Sequence, residues 1–107
     1  MRILLDECVP RRLKREFSGH DVHTVPEMGW SGTKNGELLQ LMARQGFDVL
    51  VTADQGIRHQ QNPQAAGVAL VVLVAVSNRL PDLAPLMPAA IAALRSIQPG
   101  DVVEISA

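Results

Sequence analysis

The chain has 107 residues and a formal net charge of −1 at pH 7, with 47% hydrophobic and 20% charged residues. That balance excludes a disordered chain and leaves no overall positive charge to attract nucleic acid, so any basic surface has to be local. Only 3% of the residues are aromatic, which predicts an aliphatic core, and the lone Cys8 excludes an internal disulfide and suits a reducing compartment.

Residues 2–6, RILLD, read as a strand whose apolar run is continuous, as expected when both faces are covered. Residues 9–18 read as a helix, with Pro10 in its first turn and Leu13 and Phe17 four apart on one face. Gly19 suits its exit. Residues 21–25, DVHTV, form a second strand, and 26–36 a loop rich in turn formers. A second helix spans 36–46, with Leu38, Leu39, Leu41 and Met42 as its apolar face and Asn35 or Thr33 as its cap. Residues 47–54, FDVLVTAD, form a buried strand ending at an acid, followed by an irregular polar segment over 55–67. The most apolar strand, 68–76, belongs near the sheet centre. Three prolines at 81, 85 and 88 make the start of the last helical region irregular, leaving a clean helix over 87–97. A short strand over 99–106 closes the chain at a sheet edge.

Strands alternating with helices predict an α/β fold: a three-layer α/β/α sandwich around a mostly parallel sheet, in a single domain over 1–107. The N-terminal apolar run stops at Asp6, too short for a secretory signal. The longest apolar stretch, 65–76, has about 12 residues where a membrane-spanning helix needs about 20. A soluble, cytoplasmic protein with no membrane partner is expected.

In such sheets the functional crevice lies beyond the carboxyl ends of the strands. Asp6 ends the first strand and Asp54 the third, so both acids project into one crevice if those strands are parallel neighbours. Glu37, in the first turn of the second helix, is placed to point to the same end. Adjacent strand residues face opposite ways, so only one of Asp6 and Glu7 is expected to face the crevice squarely. Clustered carboxylates repel unless compensated. A divalent cation is the usual compensation, and Mg²⁺ and Mn²⁺ take oxygen ligands. Such a site suits phosphodiester hydrolysis. The competing reading is that these are ordinary acids flanking strands.

Several stretches resemble a known family: ILLDECVPRRL (3–13), GHDVHTVPEMGW (19–30), KNGELLQLM (34–42), DVLVTADQGI (48–57) and VVLVAVSNRLPDL (71–83). The chain resembles the PIN-like DUF5615 family of small prokaryotic proteins and, more distantly, is similar to the PIN-like Mut7-C domains. The combination of a strand ending in DE before a proline with a strand ending in TxD is the specific part. The resemblance implies a Mg²⁺- or Mn²⁺-dependent ribonuclease, of the kind that forms the toxin component of toxin–antitoxin pairs. It implies Asp6 and Asp54 as metal-binding and catalytic acids, with Glu7 as the second letter of the DE start. Where related sequences often carry an acid at the start of the second helix, this chain has the neutral Asn35. Either Asn35 through its carbonyl oxygen or Glu37 would complete the site. Asp82, in a proline-rich loop, is the nearest fourth acid. A catalytically weak module that binds RNA or a partner protein is the alternative.

RNA, an antitoxin-type protein and a second copy of the chain are the expected partners. Arg11, Arg12, Lys14 and Arg15 stand beside the acids, either to hold RNA phosphates or simply as a solvated face. Arg58 opens a polar run that either faces substrate or caps its own backbone. Trp30 is a base-stacking platform or a loop anchor. His20, His23 and His59 lack zinc spacing. A phosphoacceptor site would want a lysine at a later strand end, and none follows Lys34. The Ala-rich stretch 86–94 reads as core, or as a close-packing face for a second subunit.

Overall fold

The computed structural model describes residues 1–57 and 62–107. Five parallel strands form one sheet: β1 (Arg2–Leu5), β2 (Asp21–Thr24), β3 (Val49–Thr52), β4 (Ala69–Val74) and β5 (Val102–Ser106), in the order β2-β1-β3-β4-β5. The apolar runs are continuous because alternate residues feed two cores. Ile3, Leu5, Val49, Val51, Val71 and Leu73 face one layer. Leu4, Leu50, Leu70 and Val72 face the other. The α/β/α sandwich expected from the sequence is the architecture found. The centre of the sheet is β3; β4, the most apolar strand, lies between β3 and the edge strand β5.

The connection from β1 to β2 is wound as a 3₁₀ helix over Arg11–Glu16, where the sequence predicts an α-helix. Its ends close by i to i+3 bonds, the Leu13 amide donating to the Pro10 carbonyl at 3.0 Å and the Phe17 amide to the Lys14 carbonyl at 3.3 Å. Leu13 and Phe17 are still buried from this segment.

On the opposite face lies α1 (Asn35–Arg44), burying Leu38, Leu39 and Met42. It ends at Gln45, and Gly46 follows with φ 75°, a left-handed exit that favours glycine. Neither expected residue caps its start. Lys34 occupies the cap position without a side-chain bond, and Asn35 lies inside the first turn. The segment read as irregular contains a one-turn helix, α2 (Pro63–Ala66), capped by Asn62 through the Ala65 amide. The last region is more helical at its start and shorter at its end than predicted. It runs as α3 (Leu80–Leu83), a 3₁₀ turn (Ala84–Leu86) and α4 (Met87–Leu94). Pro81 and Pro88 fall in first turns, where a missing N–H breaks no bond. Ala90 and Leu94 are buried in the core on the other face, with Leu13 and Phe17 of the 3₁₀ segment. Among the described residues no helix is long and apolar enough to cross a membrane.

The chain leaves β1 toward β2 on one side, then returns past β1 to β3 on its other side. The connections after β1 and β3 pack on opposite faces. The order therefore reverses between β1 and β3, which is where an open α/β sheet forms its binding crevice.

Candidate active site

Asp6 follows β1 directly, and its amide extends the ladder by donating to the Val51 carbonyl at 3.0 Å. That register sets Asp6 opposite Thr52, the last residue of β3. The Thr52 hydroxyl donates to Asp6 Oδ2 at 2.7 Å and accepts the Asp54 amide at 3.1 Å. Thr52 is fully buried. One hydroxyl thus joins the exits of two neighbouring strands and positions the acid on each.

The rest of the shell is equally specific. Asp6 Oδ1 accepts the Glu7 amide at 2.8 Å. Asp54 Oδ1 accepts the Gly56 amide at 3.0 Å, and Asp54 Oδ2 accepts Asn35 Nδ2 at 3.2 Å. Among the described residues every oxygen of the two carboxylates therefore has one donor, and a carboxylate oxygen can accept more than one bond. Asp6, Asn35 and Asp54 line a cleft of about 390 Å³, together with Glu7, Cys8, Thr33 and Asn78.

Glu7 lines the cleft beside Asp6, contrary to the alternation argument. The reason is local: β1 ends at Leu5, so residues 6 and 7 lie in a turn and lose the two-residue period of a strand. Glu7 Oε1 accepts the Gly32 amide, which ties the loop before α1 to the β1 exit. Cys8 is half-buried in the cleft wall. Its Sγ lies 3.5 Å from Thr52 Oγ1 and accepts the Ala53 amide at 3.4 Å.

Glu37 is exposed on α1, outside the residues that line the cleft. Asp82 also stands apart, in the first turn of α3 rather than in a loop, where it accepts a short hydrogen bond from the Ser77 hydroxyl. Trp30 is a loop anchor, edge-on to Phe47 at 5.8 Å and packed on the core. His23 pairs with Asp21 at 2.8 Å. Arg58 and His59 lie outside the described residues.

Arg11, Arg12, Lys14 and Arg15 border a second, larger groove of about 940 Å³ that shares Asp6 and Glu7 with the cleft. Lys14 Nζ is 2.9 Å from both carboxylate oxygens of Glu27. The Glu27 carboxyl is held below the usual carboxylate range, first by that bond and then, against the opposing effect of burial, by Thr24.

The profile of the PIN like domain family matches residues 1–76. The chain belongs to the PIN-like domain family. No curated protein and no solved structure is significantly similar to it. The matched stretch of this PIN-like domain carries Asp6, Asn35, Thr52 and Asp54; Asn78 comes from just beyond it.

Among the described residues, no three His, Cys, Asp or Glu side chains gather closely enough to hold a metal by themselves. Mg²⁺ typically takes only one or two carboxylates and keeps several waters. Two oriented carboxylates with spare lone pairs fit that requirement.

Sequence reasoning named Asp6 and Asp54 but not the residue joining them. Its signal was present: Thr52 is the one polar residue in β3, two places before Asp54. Asn78 had no comparable signal, since only the chain path after β4 brings it to the cleft.

Proposed function

We propose that the cleft hydrolyses RNA phosphodiesters with Mg²⁺ or Mn²⁺ held by Asp6 and Asp54. The observation that carries this reading is the Thr52 hydroxyl bridging from Asp6 to the Asp54 amide at the sheet's reversal point. When bound, the cation supplies charge neutralisation on the phosphate and an activated water. The chain's own part is positioning. Thr52 and the Glu7 amide orient Asp6, while Asn35 and the Gly56 amide orient Asp54. Glu7 extends the acidic rim, and the outlying Glu37 is not needed for this set. The reading further assigns the chain to the DUF5615 branch, as the toxin-type component of a pair whose partner is an antitoxin protein, acting in the cytoplasm.

A second reading is favoured by Asn35. Its amide spends a donor on Asp54 where a third acid would add charge, as in a module that binds RNA or protein and cleaves little.

Cleavage of RNA separates the two. The enzyme reading expects cleavage that needs Mg²⁺ or Mn²⁺ and disappears in Asp6→Asn and Asp54→Asn. Calorimetry showing no binding of either cation at millimolar concentration would defeat it. Cation binding that is weak in the wild type and strengthened in Asn35→Asp, without cleavage by the wild type, would favour the second reading.

A further inference from the structure

The hydrogen bonds around the cleft close on themselves. Beneath it, the buried Thr52 hydroxyl joins Asp6 Oδ2 to the Asp54 amide. From Asp54 Oδ2 the path passes to Asn35 Nδ2 at 3.2 Å, and from Asn35 back along the chain to Gly32. The Gly32 amide donates to Glu7 Oε1 at 2.5 Å, and the Glu7 amide donates to Asp6 Oδ1 at 2.8 Å. Asp6, Glu7, Gly32, Thr33, Asn35 and Asp54 all line the cleft, so the ring follows its wall.

The Glu7–Gly32 bond is the link in that ring with the least support around it. At one side of the loop Trp30 is fixed, by its amide to the Val25 carbonyl at 3.1 Å and by its ring against Phe47. At the other side α1 begins with Asn35. Among the described residues, no other hydrogen bond ties residues 31–33 to the exit of β1. Glu7 and Gly32 are both exposed, so burial does not hold them together either. Gly32 adopts φ 80°, which is open to glycine and costly for other residues. The loop's own sequence thus permits the turn that offers this amide.

We infer that Glu7 is a positioning residue for the cleft: its carboxylate latches the loop before α1 to the exit of β1, and through that loop keeps Asn35 on Asp54. Asp6 and Asp54 are then braced from two sides, beneath by Thr52 and across the opening by the latch. This role differs from that of a cation ligand or of a charge on the rim, because it requires reach and a lone pair but no charge. A glutamine meets those requirements; an aspartate, with the charge but one methylene less, does not. The consequence for cleavage rests on the nuclease reading, whereas the latch itself is measurable without RNA or cation.

Amide hydrogen exchange, followed by NMR on the full chain in EDTA, tests the latch at Gly32. Glu7→Ala should speed Gly32 exchange by about tenfold, because a bond to a charged acceptor is removed. Glu7→Asp should speed it nearly as much, and Glu7→Gln should stay within about threefold of the wild type. The Asn35 side-chain amide signals should shift in the alanine and aspartate variants and hold in the glutamine variant. Glu37→Gln, which neutralises an exposed acid of α1 outside the cleft, should behave as the wild type does. Exchange at Val51, in the buried sheet, should stay slow in every variant and so show that each is folded. Millimolar Mg²⁺ should leave Gly32 protected in the wild type. If calorimetry then shows no cation binding, the nuclease reading falls and the protected Gly32 still upholds the latch. Where RNA is cleaved, kcat should fall further in Glu7→Asp than in Glu7→Gln. Gly32 exchange unchanged in Glu7→Ala, protection kept by aspartate and lost by glutamine, or release of Gly32 on adding Mg²⁺ would overturn the inference.

Discussion

At the scale of single residues, the arrangement turns on a threonine. Thr52 is buried with both capacities of its hydroxyl in use, toward Asp6 and from the Asp54 amide. Thr52→Val keeps the shape but strands two polar groups, and an unsatisfied buried partner costs about 1–3 kcal/mol. Urea denaturation should show that loss, and cleavage should fall with it. Thr52→Ser, which restores the hydroxyl, should recover cleavage more fully than stability. Equal activity in the valine and serine variants would mean that the hydroxyl does not position the acids. Asn35 shows the limit of reading residues singly. As a residue type it is a helix cap or a neutral ligand, yet it lies within the first turn of α1 and orients Asp54.

At the scale of elements, the 3₁₀ segment shows that one spacing can serve two windings. Leu13 and Phe17 lie four apart and are both buried, yet the segment closes i to i+3 bonds. Its Lys14–Glu27 bond pins it to the turn after β2. Because Glu27 is depressed chiefly by that bond, its contribution is present above the unfolded carboxyl pKa and is lost as pH falls through the lower folded one. Acidification from neutrality to below the usual carboxylate range should therefore cost the wild type slightly more stability than it costs Glu27→Gln. The difference should stay under about 1 kcal/mol, since the pair is half exposed and screened. Urea midpoints of both proteins at neutral and acid pH measure it.

At the scale of the whole molecule, the site depends on a sheet buried on both faces. Leu50 in the central strand is fully buried and stands in register between Leu4 and Leu70. Leu50→Ala should destabilise the fold by about 2–5 kcal/mol, through lost burial and the cavity left behind. Thermal unfolding would register this as a lowered Tm. Cleavage measured well below that Tm should survive, because Asp6 and Asp54 keep their own hydrogen bonds. Loss of activity in a folded Leu50→Ala protein would show that core packing reaches the cleft.

The sequence by itself determined the class of fold. Continuous apolar runs separated by helical patterns are satisfied only when strands are covered on both faces, and such strands are usually parallel. It also determined that acids stand at strand exits, because residue type and strand ends are local properties. Only the tertiary structure decided that β1 and β3 are neighbours, since strand order depends on packing between segments far apart in the chain. That pairing set Asp6 against Thr52, while the chain path after β4 brought Asn78 to the cleft and the docking of α1 left Glu37 outside it. It also divided the charges of the DE and RRLKR stretches between an acidic cleft and a basic groove, a separation that spacing along the chain does not encode.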